Sequence, residues 1–134
     1  MYQQGLGISQ DYTEAIKWYR KAAEQGYASA QNNLGVIHQK GMGVLQDFEE
    51  AVKWYRKAAD QGVAGAQSNL SLMYIFGMGV PQDFVQAYMW INLAATTGDQ
   101  RAIDARGIIA KDMTPSQIEE AQKLTQEWWA KHNK

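Results

Sequence analysis

The chain contains no cysteine, which removes disulfides, thiolate metal sites and a catalytic thiol from consideration. Histidine is nearly as scarce: His38 and His132 are the only two, too few for a histidine-rich metal centre. Two prolines in 134 residues leave little to interrupt helices. No apolar run approaches the roughly 20 residues needed to cross a bilayer. The start, "MYQQGLG", lacks the basic and then apolar order of a signal peptide. Neither sign of charge dominates, with 13 Lys and Arg against 14 Asp and Glu. That balance argues against steering toward nucleic acid or an anionic membrane. What remains is an alanine-rich chain of one-domain length, with helix favoured throughout.

The string "KWYRKAA" is written twice, at residues 17–23 and 53–59. Its rings and basic groups alternate as in many nucleic-acid-binding surfaces, so the spacing around it matters. Asp11, Asp47 and Asp83 stand 36 apart (47 − 11 = 36, 83 − 47 = 36), as do Trp18, Trp54 and Trp90 and also Gly26, Gly62 and Gly98. Residues 5–40 and 41–76 agree at about 20 positions, and 77–112 matches 41–76 at about 13. A period of this size means an array of small supersecondary units.

Each unit reads as two helices. "ASAQNNLGVIHQ" sets Ala30, Leu34, Ile37 and His38 on one helical face. Gly41 and Gly43 then allow positive φ and end that helix. Asp47 with Glu50, Asp11 with Glu14 and Asp83 with Gln86 have the spacing of a cap opening the second helix. There Ala51, Trp54, Tyr55, Ala58 and Ala59 share a face, and Lys53, Arg56 and Lys57 lie toward the other side. The repeated string is therefore a structural segment: rings against neighbouring helices, all three tryptophans buried, basic groups in a solvated face. Lys53, Arg56 and Lys57 become Met89, Asn92 and Leu93 in the last unit, so no basic stripe continues along the array.

The patterns A-x-A-Q-x-N-L-G, G-x-G-V-x-Q-D and A-x-x-W-Y-x-x-A-A-x-x-G resemble the Sel-one-like repeat (SLR) family, relatives of the tetratricopeptide solenoids. The last unit departs from the pattern at Ile103–Gly107. The resemblance implies an all-α, α/α superhelical solenoid of helix-turn-helix repeats over residues 1–112, with units near 5–40, 41–76 and 77–112 and a partial unit at the N-terminus. It also implies an adaptor that binds a partner protein or peptide, often in bacterial envelope, signalling or host-contact settings. It supplies no catalytic, cofactor-binding or metal-binding residue. A self-associating structural array and a regulatory module of a larger enzyme or envelope protein are the alternatives.

The ends differ from the repeats. "MTPSQIEEAQKLTQEWWAKHNK" has Thr114 as N-cap, Pro115 at the first helical position and Gln117 three residues after the cap. Ile118, Ala121, Leu124, Thr125 and Trp128 form one stripe, so residues 113–134 read as a capping helix, with Met89 and Leu93 as contacts. At the other end, Met1 and Tyr2 fall in register with Met73 and Tyr74. The chain thus reads as starting late in a first helix, an N-terminally incomplete fragment whose second helix, from Asp11, exposes apolar surface and self-associates.

No glycine-rich phosphate loop is present, because Gly41–Gly43 and Gly77–Gly79 join helix to helix without the strand and basic residue of a P-loop. His38 aligns with Tyr74 and reads as a core-edge residue. In related solenoids the first helix of each unit lines the inner side. Traced by register, that side carries Ser29, Asn32, Val36, Gln39 and Lys40, then Gly65, Ser68, Leu72, Ile75 and Phe76, then Arg101, Asp104, Ile108 and Lys111. The apolar trio Leu72, Ile75 and Phe76 reads in two ways. It is the centre of a peptide groove, or Phe76 folds under the 77–80 loop and Leu72 packs between helices.

Overall fold

The computed structural model describes residues 4–132. Among them there are seven helices and no strand: α1 (Gln4–Glu24), α2 (Ala28–Lys40), α3 (Phe48–Asp60), α4 (Ala64–Phe76), α5 (Phe84–Ala95), α6 (Gln100–Ala110) and α7 (Pro115–His132). From α1 to α6, each helix packs on the next in the chain, and α7 packs on α5. This nearest-neighbour order is that of an α-solenoid.

The turn chemistry follows the sequence closely. Gly41 and Gly77 end α2 and α4 in the left-handed region, at φ 70° and 65°. Asp47 and Asp83 then cap α3 and α5, each carboxylate accepting from the backbone N–H three residues on, at 3.1 Å. Gln46 and Gln82 hold the intervening loop by donating to the carbonyls of Gln39 and Ile75, both at 2.8 Å. Thr114 and Gln117 form a full reciprocal capping box at the start of α7.

The first unit differs. A second helix opened by a cap at Asp11 was the expectation, but α1 runs unbroken through that position. In the later units the loop is tied to the helix before it through Gln46 and Gln82 and through the amides of Asp47 and Asp83, which bond to the carbonyls of His38 and Tyr74. In α1 the local i→i−4 ladder continues through this stretch instead.

Alanines let the helices close up. Ala51, Ala58, Ala59, Ala66 and Ala87 are fully buried, next to Tyr55, Leu70 and Met73. Trp54 and Trp90 are buried at 4% and 3% exposure, whereas Trp18, expected to match them, is 67% exposed. Trp54 sits among Ile16, Ala23, Ala30, Leu34 and Ile37 of the two preceding helices. No described helix makes such a socket for Trp18. The basic groups also divide. Lys53 and Lys57 are exposed and lie over the Trp54 ring, at 4.9 and 5.9 Å from its centroid. Arg56 is half-buried and donates to the Tyr74 hydroxyl, so it joins units and is not part of a solvated face.

Two glutamines repeat one bond at the unit spacing: Gln31 Nε2 donates to the Ala23 carbonyl and Gln67 Nε2 to that of Ala59, both at 3.1 Å. The third position in this series is Ile103. In its place, Arg106 donates to Asn92, and Asn92 to Thr125 of α7. Ala121 and Thr125 are buried, and Trp128 meets Trp90 edge-on at 6.4 Å. The last unit thus departs from the pattern where α7 takes over as its neighbour. Met89, Leu93, Leu124 and Trp128 share one core region, as the stripe on α7 implied.

Candidate partner-binding groove

The α2, α4 and α6 helices present neighbouring faces. Asn69 Nδ2 of α4 donates to Asn32 Oδ1 of α2 at 3.2 Å, which ties those two faces together. Between α4 and α6 lies an open cleft of about 340 Å³. Its apolar part is Leu72, Ile75, Ile91, Ala102, Ala105 and Ile109, and its polar edge is Ser68, Asn69, Asp99 and Arg101. Few side chains crowd it, because Gly65 lies in its wall and a Cβ there would meet only Asn32 Nδ2, at 3.8 Å.

Of the residues traced by register, Gly65, Ser68, Leu72, Ile75 and Arg101 come together at this cleft. Phe76 and Ile108 are 66% and 63% exposed, and Leu72 is 44% exposed. Phe76 is therefore not folded beneath its loop, nor is Leu72 buried between helices. Ile75 is half-buried and packs against the core. The α2 residues divide by role. Val36 packs on the core, Gln39 accepts from the Tyr55 hydroxyl, and Ser29 and Lys40 are exposed. Asp104 accepts from Gln100 at 2.9 Å, and Lys111 is exposed. Register tracing missed Asn69, Ala105 and Asp99. The first two lie one position from traced residues, and Asp99 carries its own signal as the N-cap of α6 just after Gly98.

Arg101 supplies the cationic group at the edge. Its side chain is 94% exposed, with Asp99 Oδ1 3.7 Å from its Nε. The pair is solvated and so exchangeable at little cost, since exposed ion pairs contribute about 0–1 kcal/mol. Beneath α2, burial raises the Tyr55 phenol well above its ordinary pKa, which keeps it a neutral donor to Gln39. His38 is buried too, and neither ring nitrogen has a hydrogen-bond partner. Its pKa is lowered by desolvation, partly offset by Glu50. A buried, unpartnered imidazole outside the cleft lining is a core residue.

Three comparisons bear on this arrangement. The Sel1 repeat model matches residues 1–27, 28–63 and 64–99. The second and third matches are each 36 residues long (63 − 27 = 36, 99 − 63 = 36). Among solved structures, a protective antigen present in uropathogenic Escherichia coli strains and displaying an SLR fold is 37% identical, with a TM-score of 0.90 over 97% of this chain. A Sel1 repeat protein from Oxalobacter formigenes is 41% identical, with a TM-score of 0.73 over 83% of this chain. The chain spans 28% and 46% of those two proteins' own lengths. No curated protein matches it.

Proposed function

The chain belongs to the Sel1 repeat family, whose repeats are generally protein-interaction modules, and from that premise we propose that it is a non-catalytic scaffold holding a partner protein or peptide in the groove between α4 and α6. Residues 113–134 act as its cap. The observation that carries this reading is the exposure of Leu72, Phe76 and Ile108 on adjacent helices beside an open apolar cleft. Large apolar groups left in water beside a cleft are what a partner's anchor residue covers. The polar edge of Ser68, Asn69 and Arg101 would orient the partner's backbone or a carboxylate. Phe76 is the expected hot spot, flanked by the half-buried Ile75. The proposal needs no membrane or nucleic-acid surface. Among the described residues no helix is long and apolar enough to cross a membrane.

The experiment is to change Leu72 and Phe76 to serine and to measure melting temperature and partner capture separately. Lost capture at an unchanged melting temperature is the expected result. Capture that merely tracks the folded fraction would return both residues to a structural role.

A further inference from the structure

The cleft between α4 and α6 and the seam between α2 and α4 use the same positions one period apart. Stepping back 36 residues from Ile91, Ile75, Ser71, Ser68 and Ala105 of the cleft gives Tyr55, Gln39, Gly35, Asn32 and Asn69. In the α2–α4 seam these side chains fill the space. The Tyr55 ring is fully buried against Gly35, and its hydroxyl donates to Gln39. Asn69 bridges to Asn32 at 3.2 Å. One unit later the ring has become the aliphatic Ile91, and the two bridging carboxamides have become Ser68 and Ala105. Ser71 and Leu72 are slightly larger than Gly35 and Val36, but they return fewer atoms than were removed. Arg101, in the place of Gly65, stands in solvent and fills nothing. The cleft of about 340 Å³ is the room those exchanges leave.

We propose that this cleft is an aromatic-anchor site: a phenyl ring of the partner enters from the open side and takes the room that Tyr55 occupies one unit earlier. The proposal rests on the scaffold reading of the same cleft and names the group held there. The floor suits a ring. Ile91, Ala102 and Ile109 are buried and apolar. Ser71 beside them already donates its hydroxyl to the Ala87 carbonyl at 2.7 Å, so its proton has a partner beneath an apolar guest. A branched aliphatic guest is smaller than the ring, and space it leaves empty forfeits contacts with the lining. Aromatic rings also carry much of the energy of interfaces. Ile91, Ser68 and Ala105 are thus the specificity-determining residues. They put the site in this seam and not in the one before it.

NMR titration of the isotope-labelled 134-residue chain with N-acetyl-phenylalaninamide and N-acetyl-leucinamide tests this. Backbone amides around Ser68 and Ala105 should shift, and the phenylalanine compound should bind about tenfold tighter than the leucine one. Two sets of substitutions should each weaken the phenylalanine compound about tenfold or more, with helicity retained. Ile91→Tyr with Ile75→Gln and Ser71→Gly copies the filled seam from within. Ser68→Asn with Ala105→Asn restores the bridge from the rim. No saturable binding, equal affinities, shifts away from the cleft, or binding unchanged in both variants would each overturn the proposal. Equal affinities alongside selected peptides that depend on Leu72 and Phe76 would remove the aromatic anchor and leave the scaffold reading standing. Phenylalanine binding lost in both variants, with no peptide dependent on Leu72 and Phe76, would keep the ring site and remove the scaffold reading.

Discussion

Gly35 of α2 lies against the ring of Tyr55 so closely that a Cβ on it would stand 2.6 Å from both Cδ1 and Cε1. Tyr55 is fully buried and cannot swing aside. One unit later the pair is changed on both sides. Ser71 replaces Gly35, Ile91 replaces Tyr55, and the serine hydroxyl donates to the Ala87 carbonyl at 2.7 Å. Gly35→Ala should therefore destabilise by roughly 1–3 kcal/mol, the range for overpacking a core, although alanine is the better helix former. Gly107→Ala, with nothing within 4 Å of the new methyl, should stabilise by up to about 1 kcal/mol. Urea unfolding of both variants checks the opposite signs.

The tryptophans should separate in the same assay. Trp54→Ala leaves a hole between the first units and should cost roughly 3–5 kcal/mol. Trp18→Ala touches no core and should stay within about 0.5 kcal/mol of the parent. Equal costs for the two would contradict the described burial.

Trp54 Nε1 donates to Glu50 at 3.2 Å, but the buried Nε1 of Trp90 has no partner. The position equivalent to Glu50 is Gln86. Gln86→Glu offers the indole a charged acceptor and adds an anion to the first turn of α5. Thermal unfolding should show a gain of about 1 kcal/mol. A loss would mean that the carboxylate does not reach the indole.

His38 occupies the place of Tyr74, and Arg20 stands to it as Arg56 stands to Tyr74 (38 + 36 = 74, 20 + 36 = 56). Desolvation lowers the His38 pKa below its ordinary 6.5, with Arg20 and Lys53 adding to the fall and Glu50 and Asp47 opposing it. The folded state thus binds the proton less readily than the unfolded state. The stability tied to neutral His38 is complete above pH 6.5 and is lost as pH falls from there through the depressed folded value. His38→Tyr should abolish that loss and give Arg20 a hydroxyl partner. Denaturant midpoints between pH 7.5 and 5 for parent and variant, on the scale set by the ordinary histidine value, test the sign.

Period, turn glycines, capping aspartates and the buried faces of α2 and α3 were legible because each is a local rule repeated at a fixed spacing. Trp18 and Arg56 were not. Their environments depend on which helix stands across from them, and the repeat string is identical at both sites. Asp11 has the same spacing to Glu14 as the capping pairs of the later units, yet it lies inside α1. The groove was half legible. Register traced Ser68, Leu72 and Arg101, which line one cleft, but exposure of Phe76 and the space left by Gly65 and Ala105 come from helix packing.

The scaffold reading is tested most directly by selecting peptides from a random display library against the intact chain and titrating the best of them into parent and groove variants. The account predicts peptides with an apolar anchor whose binding is lost in Leu72→Ser with Phe76→Ser. Binding should also be lost in Gly65→Gln, which fills the cleft from an open wall position, while melting temperatures stay at the parent value. Peptides that bind all of these variants as tightly as the parent would contradict a groove between α4 and α6.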